Sequence, residues 1–213
     1  MTTTPHPVHN LIVLDQSGSM HALTDAVLAG FDEVLHTIRT AQETEPTQQQ
    51  FVSLVTFGSR TINTLIASQP VAHVRPLDPA QYRPHGSTPL YDALGHSLLR
   101  LERQLDGQGA HTALITVITD GMENASTDYS GPEIKRLIER LTRQHDWVFT
   151  YMGANHAVDK VAGSLSIQAH LTFTSDRAGL RDMFRKDSSS RAAFYKKRSQ
   201  GMSGRDATTN FFD

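Results

Sequence analysis

The chain contains no cysteine, which excludes disulfide crosslinks, thiolate metal sites and a cysteine nucleophile. It has one tryptophan and only 7% aromatic residues, so any core must be built mainly from aliphatic side chains. Long apolar runs are also missing. The first one, Leu11-Ile12-Val13-Leu14, stops after four residues, far short of the roughly 20 needed to span a bilayer. Residues 1–10 carry prolines and polar side chains and no basic start, so neither a secretory signal nor a membrane segment is expected. No internal repeat is visible. These absences lead us to expect a cytoplasmic protein with no membrane partner.

What is present fits one domain. A chain of 213 residues with 38% hydrophobic content can bury one substantial core. Apolar runs that read as strands, at residues 8–14, 51–57, 112–119, 147–152 and 166–172, alternate with segments of helical periodicity. Leu23, Val27, Phe31, Val34 and Ile38 place one helix over residues 21–42, and Leu90, Leu94, Leu98, Leu101 and Leu105 place another. Ser130-Gly131-Pro132-Glu133 has the spacing of a capping box and opens a third, reaching about His145. A short helix is expected at 157–162. Residues 43–50 read as a polar connection, and Gly58-Ser59 as a two-residue hairpin leading to an antiparallel edge strand over 60–66. Five prolines in residues 69–89 keep that stretch a loop. The alternation predicts a doubly wound α/β fold, mostly parallel, with helices on both sheet faces.

The chemistry collects at strand ends. Asp15-Gln16-Ser17-Gly18-Ser19 follows the first strand, Asp120-Gly121 follows the strand ending at Thr119, and Thr88 lies in the turn-rich Gly86-Ser87-Thr88-Pro89. In open α/β sheets ligands gather outside the carboxyl ends of strands. The donors are all oxygens, which favours Mg²⁺, Mn²⁺ or Ca²⁺ over softer metals. A competing reading is that Ser17 and Ser19 cap the following helix, and the two roles are compatible. Asp92 reads as a first-turn helix residue near Thr88, and Glu123 as a solvated loop acid or, less favoured, a residue rimming the site. Met20 and His21 are candidates for a recognition rim. The eleven histidines show no His-Glu-x-x-His pattern, and residues 151–156 lack the lysine of a phosphate loop.

In its order of motifs the chain resembles the von Willebrand factor A family, whose metal-ion-dependent adhesion site is Asp-x-Ser-x-Ser, then a distant Thr, then a distant Asp. Asp15, Ser17, Ser19, Thr88 and Asp120 match all five positions in order. The resemblance covers residues 8–175, leaving residues 1–7 as a flexible N-terminus and 176–213 as a basic C-terminal helix and tail. It implies a Rossmann-like fold and one divalent cation, with Mg²⁺ first and Mn²⁺ or Ca²⁺ as alternatives. Ser17, Ser19 and Thr88 would be direct ligands, and Asp15 and Asp120 direct or water-mediated ones. It further implies a protein partner that supplies a Glu or Asp to the metal, no catalytic residues, and a bacterial-type adaptor in a stress-response or assembly system.

The C-terminal stretch suggests a second class of function. Between Arg177 and Arg205 the net charge is +7, leaving about −9 on the rest. Interleaved with Phe184, Phe194 and Tyr195, these cations are candidates for binding nucleic acid or an acidic surface. They also read as a solvated tail, with a helix over 176–186 and a mobile remainder, or as a tail resting on the acidic body. A metal-dependent hydrolase is the least supported class, because no general base stands at a clear spacing from the site.

Overall fold

The computed structural model describes residues 5–59, 61–154 and 158–213. Its centre is a six-stranded sheet in the order β3-β2-β1-β4-β5-β6, formed by β1 (His6–Asp15), β2 (Gln48–Gly58), β3 (Thr61–Pro70), β4 (Thr112–Thr119), β5 (Val148–Ala154) and β6 (Ala169–Phe173). All neighbouring pairs are parallel except β2 with β3, which is antiparallel. The doubly wound α/β architecture with one antiparallel edge strand is therefore as expected.

Alternation along the strands divides the core in two. Val8, Ile12 and Leu14 of β1 face α1 (Thr24–Thr44) and the long C-terminal helix, whereas Leu11 and Val13 face α2 (Leu90–Leu105) and α3 (Gly131–His145). The second face is completed by α4 (Val158–Ser164). All five leucines of the α2 stripe are buried. At α3 the capping box forms, with the Glu133 carboxylate accepting from the backbone amide of Ser130 at 2.8 Å.

Several boundaries differ from the sequence reading, each for a physical reason. A 3-10 helix (Gly18–Leu23) precedes α1, and Met20 within it is buried in the core rather than exposed on a rim. The polar connection before β2 is shorter than expected. Gln48 and Gln50 are strand residues whose buried amides are satisfied by one another and by Asn10 at 2.9–3.0 Å. Gly58 pairs with Thr61, so the chain reversal begins at Ser59, whose φ is 47°. Arg60 lies outside the described residues. So do Ala157, expected in the short helix, and Asn155 and His156 of the segment compared with a phosphate loop. β6 starts three residues late because Ser166, at φ 59°, and Ile167 still close the end of α4.

The largest difference is at the C-terminus. The helix expected over 176–186 is α5 (Arg177–Ser199), followed by α6 (Gly204–Ala207). Its inner face buries Leu180, Met183, Phe184, Phe194 and Tyr195 against the sheet and α1, and Phe211 and Phe212 join the same core. Arg191 and Asp187, both fully buried, pair at 3.0 Å, and Arg191 also donates to Thr116 Oγ1 at 2.8 Å. Residues 188–213 thus belong to the folded body. No described helix is long and apolar enough to cross a membrane.

Candidate functional site

The carboxyl ends of β1 and β4, the two central strands, lie side by side because these strands pair in parallel from Val8 with Thr112 to Leu14 with Ile118. This register sets Asp15 beside the end of β4. The Thr119 hydroxyl donates to Asp15 Oδ2 at 2.5 Å, and the other carboxylate oxygen accepts from the Ser17 amide at 2.6 Å. The Asp15 backbone carbonyl accepts from the Tyr82 hydroxyl at 2.7 Å. Ser17 Oγ and Ser19 Oγ stand 3.2 Å apart, and Ser19 donates to Asp120 Oδ1 at 2.5 Å. Asp15, Ser17 and Thr88 are buried, Asp120 is half-buried and Ser19 is exposed, so the cluster opens to solvent on one side.

Thr88 reaches the cluster through a laced loop. His85 N donates to the Gln16 carbonyl, Gly18 N to the Gly86 carbonyl, and Ser59 N to the Ser87 carbonyl, all at 2.9–3.0 Å. Gly58 is required by this lacing, since a Cβ there would stand 2.6 Å from the Gln16 carbonyl oxygen. Asn124 then clamps Thr88 from the other side. Its side chain accepts from Thr88 N at 2.8 Å, and its amide donates to Thr88 O at 3.2 Å. At Gly121 a Cβ would lie 3.1 Å from Thr88 Oγ1 and 3.8 Å from Asp15 Oδ2, which shows how closely the Thr88 hydroxyl, Asp15 and the Asp120 loop converge. All five residues singled out in the sequence are brought together.

Two neighbouring acids have more partners than the sequence suggests. Glu123 is not a freely solvated loop acid. It accepts from the amides of Ala125 and Ser126 and from Tyr91 N at the start of α2, at 2.7–2.9 Å. Burial opposes its charge, but these bonds and the Ser126 hydroxyl hold its carboxyl below the usual glutamate range. Asp92 does lie in the first turn of α2, and it also accepts from the amides of Thr127, Asp128 and Tyr129 at 2.8–2.9 Å. The two carboxylates tie the loop after Asp120 to the helix after Thr88. Tyr82, Asp92, Thr119, Glu123 and Asn124 all support the site. The bonds by which they tie the site together carry no spacing signal, because those partners lie 32 to 104 residues away in the chain, although Glu123 also holds its neighbours Ala125 and Ser126.

The electrostatics leave negative charge to be balanced. Burial pushes the Asp15 carboxyl above the ordinary aspartate range, against its hydrogen bonds from Thr119 and Ser17 and with added repulsion from Asp120. Burial likewise raises Tyr82 well above the ordinary tyrosine value. Among the described residues no Arg, Lys or His forms an ion pair with Asp15 or Asp120. A hard dication fits this donor set of two carboxylates and three hydroxyls. Among the described residues no group of three or more His, Asp or Glu is placed to hold a metal, so hydroxyls would be indispensable to any ion bound here.

No protein-family model matches the chain, and neither does any curated protein. Solved structures do. A von Willebrand factor type A protein from Catenulispora acidiphila matches with a TM-score of 0.61 and 17% identity, covering 90% of this chain and 44% of that one. Proximal thread matrix protein 1 from the mussel byssus gives 0.59 and 15%, with 86% of this chain and 46% of that one. The vWF domain of the type V pili tip protein Mfa5 from Porphyromonas gingivalis gives 0.56 and 11%, with 86% of this chain and 95% of that domain. The chain thus spans less than half the length of the first two structures and nearly all of the third. At these identities the shared property is the fold, which is that of a von Willebrand factor A domain.

Proposed function

We propose that this chain is a divalent-metal-dependent protein-interaction module, with Asp15, Ser17, Ser19, Thr88 and Asp120 holding one cation, Mg²⁺ before Mn²⁺ or Ca²⁺. The observation that carries the proposal is the convergence of these five oxygen-bearing residues at the ends of the two central strands, with two carboxylates and no basic partner among the described residues. When bound, the ion would supply a Lewis-acidic position able to accept an oxygen from outside. Ser17, Ser19 and Thr88 are neutral donors that leave much of a dication's charge uncompensated, so the site suits a Glu or Asp from a protein partner. Asp15, fixed by Thr119 and the Ser17 amide, orients the loop. Folds of this type often serve in protein interaction, which supports a binding role rather than catalysis. We further propose a cytoplasmic location, which the lack of cysteine favours, and an adaptor role beside a stress-response or assembly system, which rests on the family resemblance alone.

The reading is tested with Mn²⁺ as a paramagnetic probe. Amide signals of Gly18, Ser19, Thr88 and Gly121 are expected to broaden at substoichiometric Mn²⁺, to recover on adding excess Mg²⁺, and to stay sharp in Asp120→Ala. Broadening scattered over surface carboxylates, unchanged in that variant, would exclude the site.

A further inference from the structure

The helix that sequence reading treated as the start of a tail begins at the rim of this site. Ser175, two residues or at most about 7 Å of chain before Arg177, donates to Asp120 Oδ2 at 3.2 Å. Arg177 itself reaches across to the 3-10 helix that carries Ser19. Its Nε donates to the Ala22 carbonyl at 3.3 Å, and its guanidinium stands 3.5 Å from Asp25. Arg177, Arg181 and Arg185 recur at steps of four on the exposed face of α5, so they form one row leading away from the metal-binding loops. The steps are about 6 Å each.

The acids within reach are largely engaged. Asp176 accepts from the amides of Ala178 and Gly179, and Asp182 pairs with Arg185 at 3.3 Å. Arg181 makes no ion pair among the described residues. Met122, two residues after Asp120, is 65% exposed, the most exposed large apolar side chain described. The start of a cationic row and an exposed apolar side chain thus both adjoin the segment that carries Asp120.

We propose that the protein partner presents a second acidic residue, which pairs with Arg181 and Arg177 while the first enters the site, and an apolar side chain that covers Met122. The inference rests on the metal-dependent reading above. Its physical basis is charge complementarity: the row is cationic on a molecule that is otherwise acidic, and it starts beside the position an acidic ligand would occupy. One exposed charge pair changes affinity modestly and responds to salt, so the second acid would add register and selectivity to a contact fixed by the first.

The test uses two blocked synthetic peptides of equal length, one with a single Glu and one with a further Glu four residues on, titrated by NMR in Mg²⁺ and in EDTA. We expect the diacidic peptide to bind the native protein about fivefold more tightly in Mg²⁺, the size of one favourable exposed pair. The gap should close in Arg181→Gln and in Arg177→Gln/Arg181→Gln, with the fold of each variant checked by its melting curve. Equal affinities for the native protein, or a gap that survives in both variants, would overturn the second-acid contact and leave the metal reading intact. Peptide binding that is unmoved by EDTA and by Ser17→Ala/Ser19→Ala would instead overturn the metal reading, as would no binding of either peptide at millimolar concentration, and the inference would fall with it. Displacement of the diacidic peptide by a single-stranded oligonucleotide that binds Arg181 without Mg²⁺ would reassign the row to nucleic acid.

Discussion

Asp92 is the clearest case of a single side chain organising the site from outside it. Three backbone amides of the loop after Asp120 depend on its carboxylate, and it is buried, so Asp92→Ala strands three donors at once. Loss of such bonds costs about 1–3 kcal/mol per buried group left unsatisfied, and relaxation of the loop toward water recovers part of that. We expect Asp92→Ala to destabilise by about 2–4 kcal/mol in urea unfolding and to weaken Mg²⁺ binding, with Asp92→Asn intermediate. Wild-type stability and affinity in the alanine variant would remove Asp92 from the account. Gly58→Ala is expected to weaken metal binding more than stability, because the added methyl pushes on the Gln16 carbonyl beside Ser17. Comparing its shift in melting temperature with its change in metal affinity checks this. At this scale, the residues with donor chemistry at strand ends were legible in the sequence. The long-range tethers made by Asp92, Glu123 and Tyr82 were not, because those backbone partners are brought near only by the folded chain.

Among the elements, α5 departs most from what its sequence suggests. Its inner face would read as apolar at steps of three and four, from Leu180 to Met183 and Phe184 and on to Phe194 and Tyr195, but the middle positions are Asp187 and Arg191. A charged pair at core positions looks like solvated surface, which is why the sequence reading ended the helix at Lys186. Burial against Thr116 explains the charges instead, and Asp187 holds the Arg191 guanidinium protonated even though burial opposes its charge. Removing one partner leaves the other charge buried and alone. Asp187→Ala is therefore expected to cost about 3–5 kcal/mol, and Asp187→Leu/Arg191→Met substantially less, as read by chemical denaturation. Equal losses in the two variants would mean that volume, not charge, governs this contact. The apolar stretches of β1, β2, β4 and β5 and the leucine stripe of α2, by contrast, were legible because their hydrophobic pattern is uninterrupted.

For the whole molecule, the sheet order could be anticipated only as a class. Sequence periodicity names strands and helices, whereas the order β3-β2-β1-β4-β5-β6 depends on which faces the helices cover. The end of the sheet where β1 starts also carries a pH dependence. His9 is 5% exposed and stacks on Phe51, and burial together with the charges of His111 and His6 lowers its pKa to about 4. With the unfolded value near 6.5, the unfolded chain binds the extra proton first. The contribution is full above about pH 6.5 and is lost as pH falls toward about 4, by up to about 3 kcal/mol. Urea midpoints across that range should fall less steeply in His9→Phe than in the native protein. Parallel slopes would assign the acid sensitivity elsewhere.

The central claim is that the five residues at the ends of β1 and β4 hold a divalent ion. Titration calorimetry of metal-free protein with Mg²⁺, Mn²⁺ and Ca²⁺, beside Ser17→Ala/Ser19→Ala, tests it most directly. We expect single-site binding by the native chain, strengthened by an acidic peptide and lost in the variant. Equal binding by the variant, or none by the native chain even with saturating acidic peptide, would contradict it.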